Sequence, residues 1–429
     1  MRTQRLMVLM AAVLLLALSV GAVGAQDPVT IEWWTIYTTP PELPALAETL
    51  AAEFMAMHPE VTIEITHLEN EAFKERLATL MQSGDAPDLF QSWGGGVLWN
   101  YAEAGLLRDI TPELTADGGA WQNSFSAQAA LNLYSHNGVY YGVPMTFGAV
   151  GFWYNRRLFE EAGIEGVPAT WAEFLADVQL LKDAGITPIA LGEKDKWPGH
   201  FWWVYLAIRE GGQAAFEAAY NREGTFADAP FVAAGERLQE LIALEPFQTD
   251  FLAMGYGQHA GLVGNGEAAM ELMGQWAPGV QRGNSESGEG LPEGELGWFP
   301  FPIVEGGAGG PSDVLGGGDG IAVGKNAPDA TIEFLRYLTT PEVQIRYSDL
   351  NIGFIPTVVG AESAVTDPLL QAVSAARNDA GYYQLYYDQF LPPAVAQAVL
   401  DAVEGLFVGT LSAADAAQSI EDTASFELE

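Results

Sequence analysis

Apolar residues recur along the first hundred positions with two alternating periods. Residues 29–34 form a short apolar run, read as a buried first strand. Leu46, Leu50, Phe54 and Met57 then fall on one helical face, bracketed by Pro40, Pro41 and Pro44 before it and Pro59 after it. Residues 61–67 alternate as a second strand. Asn70 can cap a helix whose face is Phe73, Leu77, Leu80 and Met81, and residues 84–87 break it. Residues 88–92 form a third strand, which ends in Trp93 and three glycines before a helix begins near Val97. Strand and helix periods alternating at this short spacing predict an α/β fold, with parallel strands joined by crossover helices.

The rest of the chain continues in the same vein. Residues 140–147 are extended and proline-interrupted, and read as a crossing into a second lobe. Residues 152–155 form a strand that enters a helix over 157–162. Thr170 caps a helix bearing Trp171, Phe174, Val178 and Leu181, and residues 186–191 make another strand. Residues 192–203 are a polar loop that delivers aromatics to the start of a helix running to about Glu210. Residues 268–276 are a buried strand ending in Trp276. Glycine-rich residues 283–297 and 305–320 are expected as loops, the second one surrounding Asp319. A strand over 321–323 and helices over 328–338, 393–407 and 412–423 complete the reading.

Composition adds a class. The 429 residues are 49% hydrophobic and 17% charged, which is globular and long enough for two lobes. The net charge is −38, which argues against nucleic acid as a partner, because phosphate binding needs a basic surface. Arg2 and Arg5, an apolar run over 6–20 and Val23-Gly-Ala25 read as a cleaved signal peptide over residues 1–25, so the mature chain begins near Gln26. No later segment is long and apolar enough to span a membrane. There is no cysteine, hence no disulfide and no lipid-anchored cysteine. The protein is expected to be secreted or periplasmic.

Enzyme signatures are missing. Neither Gly-x-Ser-x-Gly nor His-Glu-x-x-His occurs, no phosphate loop or EF-hand loop is present, and the five histidines have no metal spacing. No cofactor and no metal are expected. What the chain does offer is aromatic side chains at loop mouths: Trp93 before glycines, Trp276 before Ala277-Pro278, and Trp197, Trp202 and Trp203 around His200. A sugar ring has an apolar C–H face and a hydroxyl rim, so it needs a flat aromatic beneath it and fixed polar partners at its edge. Glu69, Asn70, Lys196 and Asp319 suit that rim, although Asn70 serves equally as a helix cap. Adjacent helical residues point apart, so one of Trp202 and Trp203 is expected to face the ligand, and Trp203 is preferred. Phe147 is retained as a further candidate. The residues alone leave open a secreted glycoside hydrolase or lyase, whose two carboxylates can lie far apart in the chain. They also leave open a receptor for another small solute such as a peptide.

Taken in order, the leader, Asp85-Ala-Pro-Asp-Leu-Phe90, Tyr141-Gly-Val-Pro144, Trp153-Tyr-Asn155, Thr170-Trp171, Ala268-Ala-Met270, Gly274-Gln-Trp276 and Ile355-Pro-Thr357 resemble sugar-binding proteins of ATP-binding-cassette importers. This is the large group that includes the maltose-binding type. Gln91-Ser-Trp-Gly-Gly-Gly96, Lys194-Asp-Lys-Trp-Pro198 and Gly317-Gly-Asp-Gly320 look most like xylobiose or xylo-oligosaccharide binders. The resemblance implies a periplasmic-binding-protein-like fold: two α/β lobes, a hinge and three crossings, with the sugar in the cleft. It implies lobes over residues 26–142 with 275–339, and over 143–274 with 340–429. It further implies Trp93 and Asp319 on the first rim, Trp197 and Trp203 on the second, and Trp276 near the hinge. The expected partners are a neutral oligosaccharide and the permease subunits of the importer, met by a monomer. Relatives in single-membrane bacteria usually carry a lipid-anchored cysteine, and this chain departs from them there.

Overall fold

The computed structural model describes residues 28–428, so the expected signal peptide lies outside the described residues. The alternating periods of the N-terminal third become strand Val29–Thr35, helix Glu42–Met57, strand Val61–His67, helix Asn70–Ser83 and strand Leu89–Ser92. The three strands are parallel, with Ile31 opposite Ile63 and Trp33 opposite Leu89. They sit in a five-stranded sheet with Val29–Thr35 second and Leu89–Ser92 third. Strands Gly320–Val323 and Gly142–Pro144 then add on antiparallel beyond Leu89–Ser92. Residues 140–147 therefore end the first lobe's sheet before they cross.

Glu69, not Asn70, caps the second helix: its Oε2 accepts from the backbone N–H groups of Glu71 and Ala72 at 3.0 and 3.4 Å. Gly84 ends that helix in the left-handed conformation at φ 81°, which glycine adopts without a Cβ penalty. At Thr170 the expected cap forms as a full capping box with Glu173.

A second sheet runs Leu296–Phe299, Gly151–Asn155, Ala268–Met273, Thr187–Ile189. A third, small sheet runs Tyr383–Leu385, Val314–Gly317, Gly148–Ala149. Both correct the loop expectations. Residues 305–320 contain the strand Val314–Gly317, whose glycines obscured its strand character, and Leu296–Phe299 begins inside the expected loop over 283–297.

The cores also redraw the lobe boundaries. The first core gathers Ile31, Trp33, Phe54, Leu89, Val143 and Phe334, and continues through Val343, Tyr347, Phe354 and Val358. The second gathers Phe152, Trp153, Phe174, Trp202 and Met270, and also Phe299, Phe301, Val314 and Leu315. Residues 277–317 thus pack with the second lobe and residues 340–361 with the first, the reverse of the expected assignment. The physical reason is strand pairing: Leu296–Phe299 lies antiparallel beside Gly151–Asn155, which carries its side chains into the second core.

Three crossings join the lobes and are tied to one another. The carbonyl of Asp319 accepts from the N–H groups of Met145 and Thr146 at 2.8 and 3.0 Å, and Phe147 N–H donates to Ile355 O at 3.2 Å. Ile355 N–H in turn donates to Thr146 Oγ1 at 2.9 Å. Among the described residues, no helix is long and apolar enough to cross a membrane.

Candidate functional site

The cleft forms where strand ends of one lobe face helix starts of the other. From the first lobe, the chain leaving strand Val29–Thr35 supplies Tyr37, Thr38 and Thr39. The start of helix Asn70–Ser83 supplies Asn70 and Lys74, with Glu69 just before it. The end of Leu89–Ser92 presents Trp93, and Asp319 stands between two strands. From the second lobe, helix Trp197–Tyr220 supplies Trp197 and Phe201, and helix Tyr256–Gly264 supplies Tyr256. The turn after Ala268–Met273 supplies Trp276, and the segment after Tyr383–Leu385 supplies Tyr386, Asp388 and Gln389. The empty space, including its open mouth, is about 1130 Å³.

On the first wall, Trp93 rests edge-on against Phe73, with ring centroids 6.1 Å apart, which leaves the indole half-buried. Gln91 Nε2 donates to Asp319 Oδ1 at 2.8 Å. Burial nevertheless dominates and pushes the Asp319 carboxyl up to about 6. Lys74 donates to Glu71 Oε1 at 3.0 Å. Its ammonium lies 5.6 Å from the Trp93 ring and 6.0 Å from the Trp197 ring, so it stands between indoles of opposite lobes. Among the described residues, Lys74 is the one basic residue lining the cleft, against the carboxylates Glu69, Asp319 and Asp388.

The second wall is aromatic. Trp197 packs edge-on against Tyr256 at 4.8 Å and tilts towards Trp276 at 6.4 Å, while Tyr386 stacks on Phe201 at 5.0 Å. Behind them Asp388 pairs with the fully buried His200, Oδ1 to Nε2, at 3.3 Å. Burial alone would raise the Asp388 carboxyl, but the charges of His200 and Lys74 and a hydrogen bond from Gln389 outweigh it and hold the group below its ordinary value. Besides the His200–Asp388 pair, whose facing atoms make an ion pair but no hydrogen bond, three polar atoms on this wall are buried without a hydrogen-bond partner: Trp197 Nε1, the Tyr256 hydroxyl and the Tyr386 hydroxyl. Such atoms are few in folded proteins, and each calls for an explanation.

Six of the sequence-predicted residues line this one cleft: Trp93, Trp197, Trp276, Asp319, Glu69 and Asn70. Three do not. Trp203 is 0% exposed and packs on Phe231 and Tyr387 in the second core. The helix it lies on is buried nearly all round, so neither Trp202 nor Trp203 has a ligand-facing side. Lys196 occupies the N-cap of that helix and spends its ammonium on Asp401 and Glu404, at 2.7 and 2.8 Å. Phe147 lies at a crossing, against Tyr383 and under the guanidinium of Arg377. Conversely, Lys74, Tyr256, Tyr386 and Asp388 escaped the sequence reading. The aromatic density of residues 382–390, with four tyrosines, was the available signal for the last two. Among the described residues, no group of three or more His, Cys, Asp or Glu side chains could hold a metal ion.

Residues 38–345 match the family of bacterial extracellular solute-binding proteins. This chain belongs to that family. The family is one of solute binders rather than of enzymes, and a two-lobed α/β receptor with a cleft is the architecture found here. An uncharacterised ABC transporter extracellular-binding protein of Pyrococcus horikoshii is 26% identical over 349 residues, covering 80% of this solute-binding protein and 74% of that one. The multiple sugar-binding protein of Streptococcus mutans is 25% identical over 374 residues, covering 84% and 82%. A solved structure from work on xylan utilisation by the thermophile Caldanaerobius polysaccharolyticus superimposes with TM-score 0.84 at 25% identity. That alignment covers 92% of this chain and 99% of the other.

Proposed function

We propose that this solute-binding protein captures a neutral oligosaccharide, with xylobiose or a short xylo-oligosaccharide first in line, and delivers it intact to the permease subunits of an ABC importer. In this reading it acts outside the cytoplasm as a monomer, after cleavage of residues 1–25. The observation that carries the reading is the pairing, in one cleft, of indole faces with buried polar atoms that have no partner. Trp93 and Trp276 offer flat apolar faces to the C–H side of a sugar ring. Trp197 Nε1 can donate to a sugar oxygen, and the hydroxyls of Tyr256 and Tyr386 can exchange hydrogen bonds with the hydroxyl rim. The carboxylates of Asp319 and Asp388 accept from further hydroxyls. A neutral ligand suits a cleft in an acidic chain, where an anion would be repelled. The sugar-binding and xylan-related relatives support the same ligand class.

A disaccharide has about 20 heavy atoms, and at roughly −0.3 kcal/mol for each the binding energy is about −6 kcal/mol, a Kd of tens of micromolar. Tryptophan fluorescence titrated with xylobiose, cellobiose, chitobiose and raffinose tests the assignment. Xylobiose is expected to shift the emission at the lowest concentration. A lower midpoint for another sugar overturns the xylo-oligosaccharide choice, and an unmoved spectrum with all four overturns the sugar reading itself.

A further inference from the structure

Trp93 is followed by Gly94, Gly95 and Gly96, and the last two open the first lobe's helix Gly95–Glu103. Facing them is the main chain of residues 389–391 from the second lobe. A Cβ on Gly95 would stand 2.7 Å from the carbonyl oxygen of Gln389. One on Gly96 would stand 2.6 Å from that of Phe390 and overlap that of Leu391. Backbone therefore meets backbone across the lobes. Trp99 closes the same seam edge-on against Phe390, with ring centroids 5.5 Å apart.

The seam has a cavity on each side. Trp93 and Gln389 line the cleft described above. Gly96, Trp99, Asn100, Tyr220 and Pro392 line a second cavity with about 920 Å³ of empty space, its open mouth included. In that second cavity Trp99 stacks on His136 at 5.7 Å, and its indole N–H is buried without a partner. Side chains at such a boundary could rotate aside to let a longer ligand through. Carbonyl groups packed on glycine cannot, because moving them means moving the lobes.

We propose that the Gly95–Gly96 seam is a partition that closes one end of the cleft and restricts the ligand to a short oligosaccharide. The proposal rests on the sugar-receptor reading, and adds to it a limit on chain length and the residues that set it.

Gly96 is the discriminating position. It lies in a helix outside the left-handed region, so alanine suits the helix and strains only the seam. The experiment is a length series, xylobiose to xylohexaose, titrated into the mature wild type and into Gly96→Ala. In the wild type, affinity should fall once the chain outgrows the cleft. Gly96→Ala should weaken xylobiose binding about tenfold, as expected for wedging a packed contact. Longer xylo-oligosaccharides should lose less, so that the ratio of long to short affinity rises by about threefold or more. Trp99→Ala opens the same wall by deletion and should move the ratio the same way, which keeps the test alive if Gly96→Ala does not fold. Equal losses at every length in both variants, or a wild type that binds xylohexaose as tightly as xylobiose, overturn the partition while leaving the sugar reading intact. A wild type that binds no saccharide overturns the sugar reading, and the partition with it.

Discussion

On the first wall of the cleft Asp319, Lys74, Asn70 and Glu69 already have partners. Gln91 holds Asp319, Glu71 holds Lys74 and Asn70, and Glu69 caps its helix. On the second wall Trp197, Tyr256 and Tyr386 each bury a polar atom that has none. The two walls are built alike, from strand ends and helix starts, so the difference lies in what each gains from a ligand. A hydroxyl that bonds to the first wall must displace or share an existing bond. One that reaches the second wall relieves an unsatisfied group, whose burial costs about 1–3 kcal/mol. The first wall is therefore expected to orient the ligand, and the second to supply most of the net hydrogen-bond energy.

The largest effect should come from the flat surfaces that both walls share. Trp276→Ala should lower affinity about thirtyfold, near 2 kcal/mol, and Trp93→Ala at least about tenfold, measured by calorimetry. Unchanged affinity in both would remove the stacking surfaces from the account.

Acidity tests the first wall. The Asp319 carboxyl sits raised at about 6, because burial penalises its charge. A sugar hydroxyl donating to it favours the ionised form, so affinity should be flat above about pH 7 and fall up to about tenfold by pH 5. In the free protein the sign is opposite. Between its unfolded value and about 6, the native group holds the proton more tightly, so acidification through this range adds stability. Asp319→Asn should abolish both trends, and a pH profile that it leaves unaltered would assign the titration elsewhere.

Removing single hydroxyls sets the walls directly against each other. Tyr386→Phe and Tyr256→Phe should each weaken binding about fivefold, near 1 kcal/mol, while raising the melting temperature of the free protein, since an unsatisfied group has gone. Asn70→Ala should change affinity less than either. The reverse order would invert the comparison. The smallest effects are expected outside the cleft. Trp203→Phe should lower the melting temperature by opening a cavity in the core, and Lys196→Ala should break the ion pairs with Asp401 and Glu404. Both should leave sugar affinity within about twofold.

The N-terminal alternation was legible because each element there is specified by its own short-range pattern, from Leu50 and Phe54 on one helix face to Phe73 and Leu77 on the next. Trp93, Trp276 and Asp319 were legible because each stands at a strand end beside glycine or proline. Trp203 misled because its helix is enclosed by Phe231, Tyr387 and the second sheet, an enclosure that no local pattern announces. Lys74 and Asp388 were hidden because their positions depend on the approach of the two lobes. The strand at Val314–Gly317 was hidden because glycine carries no periodic side chain. The lobe boundaries failed for a related reason: they follow strand pairing between residues well over a hundred positions apart, such as Trp153 with Trp298.

The most direct test is a calorimetric titration of xylobiose and its longer homologues into a chain of residues 26–429. A saturable heat with a Kd of tens of micromolar or tighter, weakened about thirtyfold by Trp276→Ala, is the predicted result. No heat with any oligosaccharide at millimolar concentration would contradict the account.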